Sequence, residues 1–193
     1  MLRHHDGMLN ADLVAPDTVR PISRLEYEKM AALGLFADER VELIDGVVLC
    51  MSPEGAPHGG TIQRLTQILV LALYPRAAVR VQSSFAASDG SEPEPDVAVV
   101  PAGDYDDAHP SKADLVIEVA DTSLAKDRGV KAALYAQSRV PEYWVVNLQG
   151  KLIEVHTDII QGAYARVTPY RKGETIRLQQ FPDVEIRVES VLR

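Results

Sequence analysis

The chain has 193 residues, 46% of them apolar and 25% charged, a balance that suits one well-packed domain and excludes disorder throughout. Its net charge of -8 excludes a protein that coats nucleic acid by bulk attraction, so DNA or RNA would have to meet a local basic patch or a bound cation. The single cysteine, Cys50, excludes an internal disulfide and a cysteine-based zinc site, and reads as a small core residue.

Residues 1–21, with Pro16 and Pro21 and no periodic pattern, read as a loosely held arm. Residues 22–193 read as one domain, with no repeat, low-complexity tract or shift of composition. The opening "MLRHHDGMLN" lacks the apolar core of a secretory signal, and the longest apolar run, 68–74, falls far short of the ~20 residues that span a bilayer. A cytoplasmic protein with no membrane partner is expected.

"SRLE" at Ser23–Glu26 matches a capping box that opens a short helix, and Gly34 supplies its stop. In "VELIDGVVLCMS" the Asp45-Gly46 pair lies between two β-rich runs and marks a tight hairpin. From His58 to Tyr74, Ile62, Leu65, Ile68, Leu69 and Leu73 recur at helical spacing and stop at Pro75. Three β-like runs follow, 79–86, 96–100 and 115–120, the last two apolar enough to be covered on both faces. A second helix is expected over 127–138 with Val130, Ala133, Leu134 and Gln137 on one side, then a strand, a turn at Gln149-Gly150 and another strand. The rest, 163–191, alternates short β runs with turns at Lys172-Gly173 and Pro182-Asp183. The order from His58 to Asn147 is therefore α-β-β-β-α-β.

Two carboxylates stand out in that order. Asp96 opens one central strand directly after Pro95, and Glu118 interrupts the apolar run "LVIEVA". A buried carboxylate needs a partner or a cation. Hard divalent cations take such oxygen ligands, and an octahedral ion needs only one or two of them. A strand start in which Asp96 bonds nearby amides accounts for Asp96 equally well, and a pair with Lys131 or Arg128 accounts for Glu118. Lys131 shares a helical face with Tyr135, and an ordinary ion pair with Asp127 four residues earlier accounts for its spacing as well. The five histidines, at 4, 5, 58, 109 and 156, show no zinc-ligand spacing.

In order and spacing, "VELIDGVVLCMSPEGAPH", "EPDVAVVP" and "LVIEVADTSLAKDRGVKAALYAQSRVPEYWVVN" resemble the PD-(D/E)XK nuclease superfamily, and within it the Uma-two family of restriction-endonuclease-like proteins, over roughly residues 25–160. The resemblance implies an α/β fold: a restriction-endonuclease-like core of α-β-β-β-α-β order, a mixed sheet flanked by helices, here with added β-hairpins. It implies a metal-dependent endonuclease hydrolysing DNA phosphodiester bonds, with Mg2+ or Mn2+ as cofactor, Asp96 and Glu118 as metal ligands, and a homodimer for double-strand cleavage. The superfamily lysine belongs two residues after the glutamate, where this chain has Ala120; Lys131 takes the place of the relocated lysine of this family. Glu42 and His58 match family text as accessory residues, although a hairpin surface charge and a helix cap describe them equally well. The alternative reading is a non-catalytic DNA-binding or protein-interaction module on a degenerate nuclease fold, and hydrolysis of a small phosphate ester draws on the same ion chemistry.

Overall fold

A computed structural model describes residues 20–193, so the expected arm over residues 1–21 lies, but for its last two residues, outside the described residues. The first element is the capped helix α1 (Arg24–Ala32): Ser23 accepts from the Glu26 amide while the Glu26 carboxylate accepts from Ser23 N at 3.0 Å. Gly34 follows at φ +78°, a left-handed conformation that suits a residue without Cβ. Strands β1 (Val41–Ile44) and β2 (Val47–Cys50) form the expected antiparallel hairpin. Its turn residues Asp45 and Gly46 both have positive φ, and a Cβ on Gly46 would come within 2.3 Å of Pro21 Cβ.

Helix α2 (Ala56–Leu73) begins two residues before the expected His58, with Pro57 in its first turn, where a missing amide hydrogen costs nothing. After it come β3 (Ala77–Val81), β4 (Val97–Pro101) and β5 (Leu115–Ala120). The run expected to reach residue 86 as a strand stops at Val81, because Gln82 adopts φ +44° and turns the chain out of the sheet. A short helix α3 (Leu124–Lys126), a π turn (Asp127–Lys131) and helix α4 (Ala132–Gln137) lead into β6 (Tyr143–Asn147). A long hairpin of β7 (Leu152–Ile160) and β8 (Ala163–Arg171) then extends the sheet, and β9 (Thr175–Arg177), β10 (Glu185–Arg187) and α5 (Val188–Val191) close the chain.

The six strands lie in the order β3-β4-β5-β6-β7-β8, with only β5 and β6 parallel. This is the mixed sheet flanked by helices that the element order implies. Successive residues of a strand point to opposite faces. Along β5, Leu115, Ile117 and Val119 meet the face covered by Ile62, Leu65 and Leu69 of α2, while Val116 and Ala120 meet Ala132 and Tyr135 of α4. Both faces are covered, which is why β4 and β5 read as nearly continuous apolar runs. The C-terminal hairpin completes the α2 side with Ile176, Leu178 and Ile186. Glu142 locks it on: its carboxylate accepts from Trp144 Nε1 and from Gln179 N, each at 2.7 Å.

Two expectations are corrected. Cys50 is exposed, because it ends the outer strand of a two-stranded hairpin that buries only β1. In the helix after β5, Val130, Ala133 and Gln137 face solvent, and the buried side carries Lys131, Ala132, Leu134, Tyr135 and Ala136. The π turn inserts one residue into the helical repeat and rotates the following side chains, so the period of a regular helix picks the wrong face.

Candidate active site

The antiparallel register of β4 and β5 pairs Val97 with Ile117 and Ala98 with Val116. Continued by one step, it sets Asp96 directly across from Glu118. Both side chains fall by alternation on the α4 side of the sheet, and both are buried. At this end of the ladder the Asp96 carboxylate takes over as acceptor: Val119 N donates to Asp96 Oδ2 at 2.7 Å. Two carboxylates expected on neighbouring strands thus meet at the place where β4 begins.

The π turn delivers the lysine. In it the Ala132 amide reaches back five residues to the Asp127 carbonyl, which also accepts from Tyr143 Oη at 3.0 Å. The extra residue swings Lys131 inward, to 3% exposure, with Nζ 2.9 Å from Glu118 Oε1. Tyr135 Oη donates to the same Oε1 at 2.7 Å, so the i and i+4 face seen in the sequence converges on one oxygen. Glu118 Oε2 carries no hydrogen bond among the described residues. Lys131 is therefore no surface lysine, and the expected i,i+4 pair with Asp127 is absent among the described residues; Asp127 accepts from Ser123 Oγ instead.

Glu42 is fully buried rather than a hairpin surface charge. Its two oxygens take Lys126 Nζ at 2.9 Å and Lys131 Nζ at 3.1 Å, which ties the β1–β2 hairpin to the helix that carries the lysine. On the opposite side of Asp96, His58 Nε2 lies 3.1 Å from Asp96 Oδ2 and His58 Nδ1 lies 3.3 Å from Glu54 Oε2. Glu54 is itself held by Arg40 at 2.6 Å and by Gln82. Glu54, His58 and Asp96 each offer a ligand atom, all within 4.8 Å of one another.

These groups line a cavity of about 340 Å³ between the 51–55 loop, the start of α2 and the loop after β5. Its charge is unbalanced by burial. Burial pushes the Glu118 carboxyl up to about 8; Lys131 opposes this, while Asp96 and Asp127 add repulsion. Asp127 is raised as well, by burial above all. Burial also works against the Glu42 and Lys131 charges, but there the mutual attraction wins: Glu42 lies below the usual carboxylate range and Lys131 above the usual lysine range. For His58, burial is outweighed by Asp96 and Glu54, and its pKa is raised. Crowded carboxylates with one unbonded oxygen at Glu118, and an imidazole Nδ1 buried without a hydrogen-bond partner, form a donor set that could hold a hard divalent cation.

A family model described as "Uma2: Putative restriction endonuclease" matches residues 25–189. The chain belongs to the Uma2 family. No curated protein matches it. Among solved structures, it is similar to a crystal structure described as that of a "putative nuclease belonging to DUF820" from Anabaena variabilis. That likeness has a TM-score of 0.72 at 13% identity and covers 89% of this chain and 97% of the other. At that identity it speaks for the fold.

Of the residues singled out in the sequence, the Uma2 fold here gathers Asp96, Glu118, Lys131, Glu42 and His58 around one cavity or its immediate support. Sequence reading passed over Glu54, Lys126 and the hydrogen bond of Tyr135. The Glu54 and His58 spacing of four was a visible signal, one helical turn apart across the start of α2. Nothing in the text "DRGVK" announces a π turn.

Proposed function

We propose that this Uma2 chain is a magnesium- or manganese-dependent endonuclease that hydrolyses DNA phosphodiester bonds, with Asp96 and Glu118 as metal ligands and Lys131 beside them. The observation that carries the reading is the register that opposes Asp96 and Glu118, with a buried ammonium 2.9 Å from the second carboxylate. Structural proteins seldom crowd buried carboxylates so closely, whereas cation sites depend on it.

Asp96, Glu118 and the nearby Glu54 and His58 would hold the cation. A bound divalent cation supplies charge stabilisation to the phosphate and makes an adjacent water a better nucleophile at neutral pH. The chain's own groups do the positioning. Val119 N fixes Oδ2 of Asp96, the oxygen that also meets His58 Nε2, and Asp96 lines the cavity. Tyr135 and Lys131 fix Glu118 through one oxygen only, and Glu42 holds the ammonium from the rear. From there Lys131 donates hydrogen bonds toward a water or a phosphate oxygen, so positive charge is in place before charge develops in the transition state. One such centre cuts one strand, and a double-strand break calls for two copies, a homodimer.

The second reading, a non-catalytic module, draws on the engagement of Lys131 with two carboxylates, which would serve stability as well as chemistry. Calorimetric titration tests the metal ligands on which the first reading depends. The nuclease reading expects magnesium or manganese to bind wild-type protein and to lose most of its affinity in Asp96→Ala; equal affinity in both would remove Asp96 from the site.

A further inference from the structure

Beside the candidate active site lies a second cavity of about 360 Å³ on the other flank of the first turns of α2, lined in part by Pro57, Gly60, Thr61, Arg64, Lys151 and Arg193. The two cavities share the start of one helix: Gly55 and His58 line the first, Ala56 and Pro57 the second. Their electrostatics are opposite. The first is crowded with carboxylates; among the described residues no acidic side chain lines the second.

Among the described residues, no acidic side chain pairs with the cations of the second cavity. Among the described residues no salt bridge involves Arg64, Lys151 or Arg193, although Arg40, Arg76 and Arg128 all pair with carboxylates. Arg64 is aimed by its own fold: Nε donates to Val191 O at 2.8 Å and one terminal nitrogen to Thr61 Oγ1 at 2.9 Å. The other terminal nitrogen lies over Gly60, where a Cβ would stand only 3.4 Å away, so the glycine keeps that edge of the guanidinium open. Burial and the like charge of Arg193 both lower the Arg64 pKa. In a chain of net charge -8, an uncompensated cluster of cations in a concave site is a site for an anion. The first turn of α2 points the same way, with no acidic residue and no side-chain cap on its free amides.

We propose that this Arg64 and Lys151 cavity seats a backbone phosphate of the DNA strand that enters the neighbouring active site. The inference rests on the nuclease reading for its substrate, and it supplies what the acidic active site lacks, a local attraction for the polyanion. The spacing suits a strand. Arg64 stands six residues beyond His58, about 9 Å along the helix axis, and a B-form strand advances about 3.4 Å per nucleotide. The two cavities are thus close enough to lie along one strand. The contact is made to backbone and reads no sequence.

The test is the affinity of a fluorescein-labelled DNA duplex, measured by anisotropy across a salt series with calcium replacing magnesium, for wild type, Lys151→Gln and Lys151→Glu. Lys151 sits in the exposed turn between β6 and β7, so thermal melts of both variants should match wild type. The expected result is a roughly tenfold weaker Kd for Lys151→Gln, a larger loss for Lys151→Glu, and a slope of log K against log salt reduced by about 0.9, the loss of one phosphate contact. Unchanged Kd and slope in both variants overturn the inference, as does wild-type protein that fails to bind DNA or prefers an acidic peptide to it. The nuclease reading fails separately: variants that weaken DNA binding in a protein that never cuts leave the phosphate seat standing and remove the catalysis.

Discussion

Replacing Lys131 by methionine keeps the apolar stem and deletes the ammonium, and the structure says what that leaves behind. Lys131 is 3% exposed and stands between Glu118 at 2.9 Å and Glu42 at 3.1 Å. Glu42 keeps Lys126 at 2.9 Å, and the Glu118 carboxyl, already pushed up to about 8 by burial, escapes part of the penalty by staying protonated at neutral pH. Breaking a buried pair by removing one partner costs about 3–5 kcal/mol. For a domain of this size each kcal/mol moves Tm by about 2–4 °C, so Lys131→Met is expected to melt about 6–20 °C below wild type. Glu118→Gln should behave differently, since glutamine still accepts from Tyr135 and Lys131 while the ammonium keeps Glu42. Its Tm in chelator is expected within a few degrees of wild type or above it, because a neutral amide is subject neither to the burial penalty nor to the repulsion from Asp96 and Asp127 that raise the Glu118 pKa. Differential scanning calorimetry of the two variants in chelator measures this. A Lys131→Met protein as stable as wild type, or a Glu118→Gln protein that falls further than Lys131→Met, would refute the reasoning.

Glu92 gives a pH prediction away from the active site. Burial, then the neighbouring Glu28, push its carboxyl from the ordinary 4.5 to about 7, so the folded state binds a proton that the unfolded chain releases. Stability should therefore fall as pH rises from about 4.5 to about 7 and change little beyond; Glu92→Gln should flatten that dependence in Tm measured across the window, and an unaltered profile would contradict it. Glu142→Ala should cost about 2–4 kcal/mol by chemical denaturation, because it strips the buried Trp144 Nε1 and the Gln179 amide of their acceptor at once. A loss under 1 kcal/mol would show that water replaces the carboxylate.

The two carboxylates were legible in the sequence because each breaks a local pattern: Asp96 after a proline at a strand start, Glu118 inside an apolar run. Their register was not, since pairing depends on where β4 and β5 meet, and no local signal carries that. Lys131 was legible through resemblance alone. By periodicity it belongs to the solvent face, and only the π turn brings it inside. Glu42 illustrates a different gap. Its strand is buried along its whole length, and the partners that let a carboxylate lie there are Lys126 and Lys131, both more than eighty residues away in the chain. The early end of β3 was hidden because φ +44° at Gln82 is a choice made by the following loop, not by glutamine.

The most direct test of the nuclease account is cleavage of supercoiled and linear DNA by purified protein with magnesium, with manganese and with chelator, beside Asp96→Asn prepared identically. The account predicts nicked or linear product only with a divalent cation and only from wild type. Cutting that persists in chelator or in Asp96→Asn, or a wild-type protein that binds the cation and leaves every DNA intact, would contradict it.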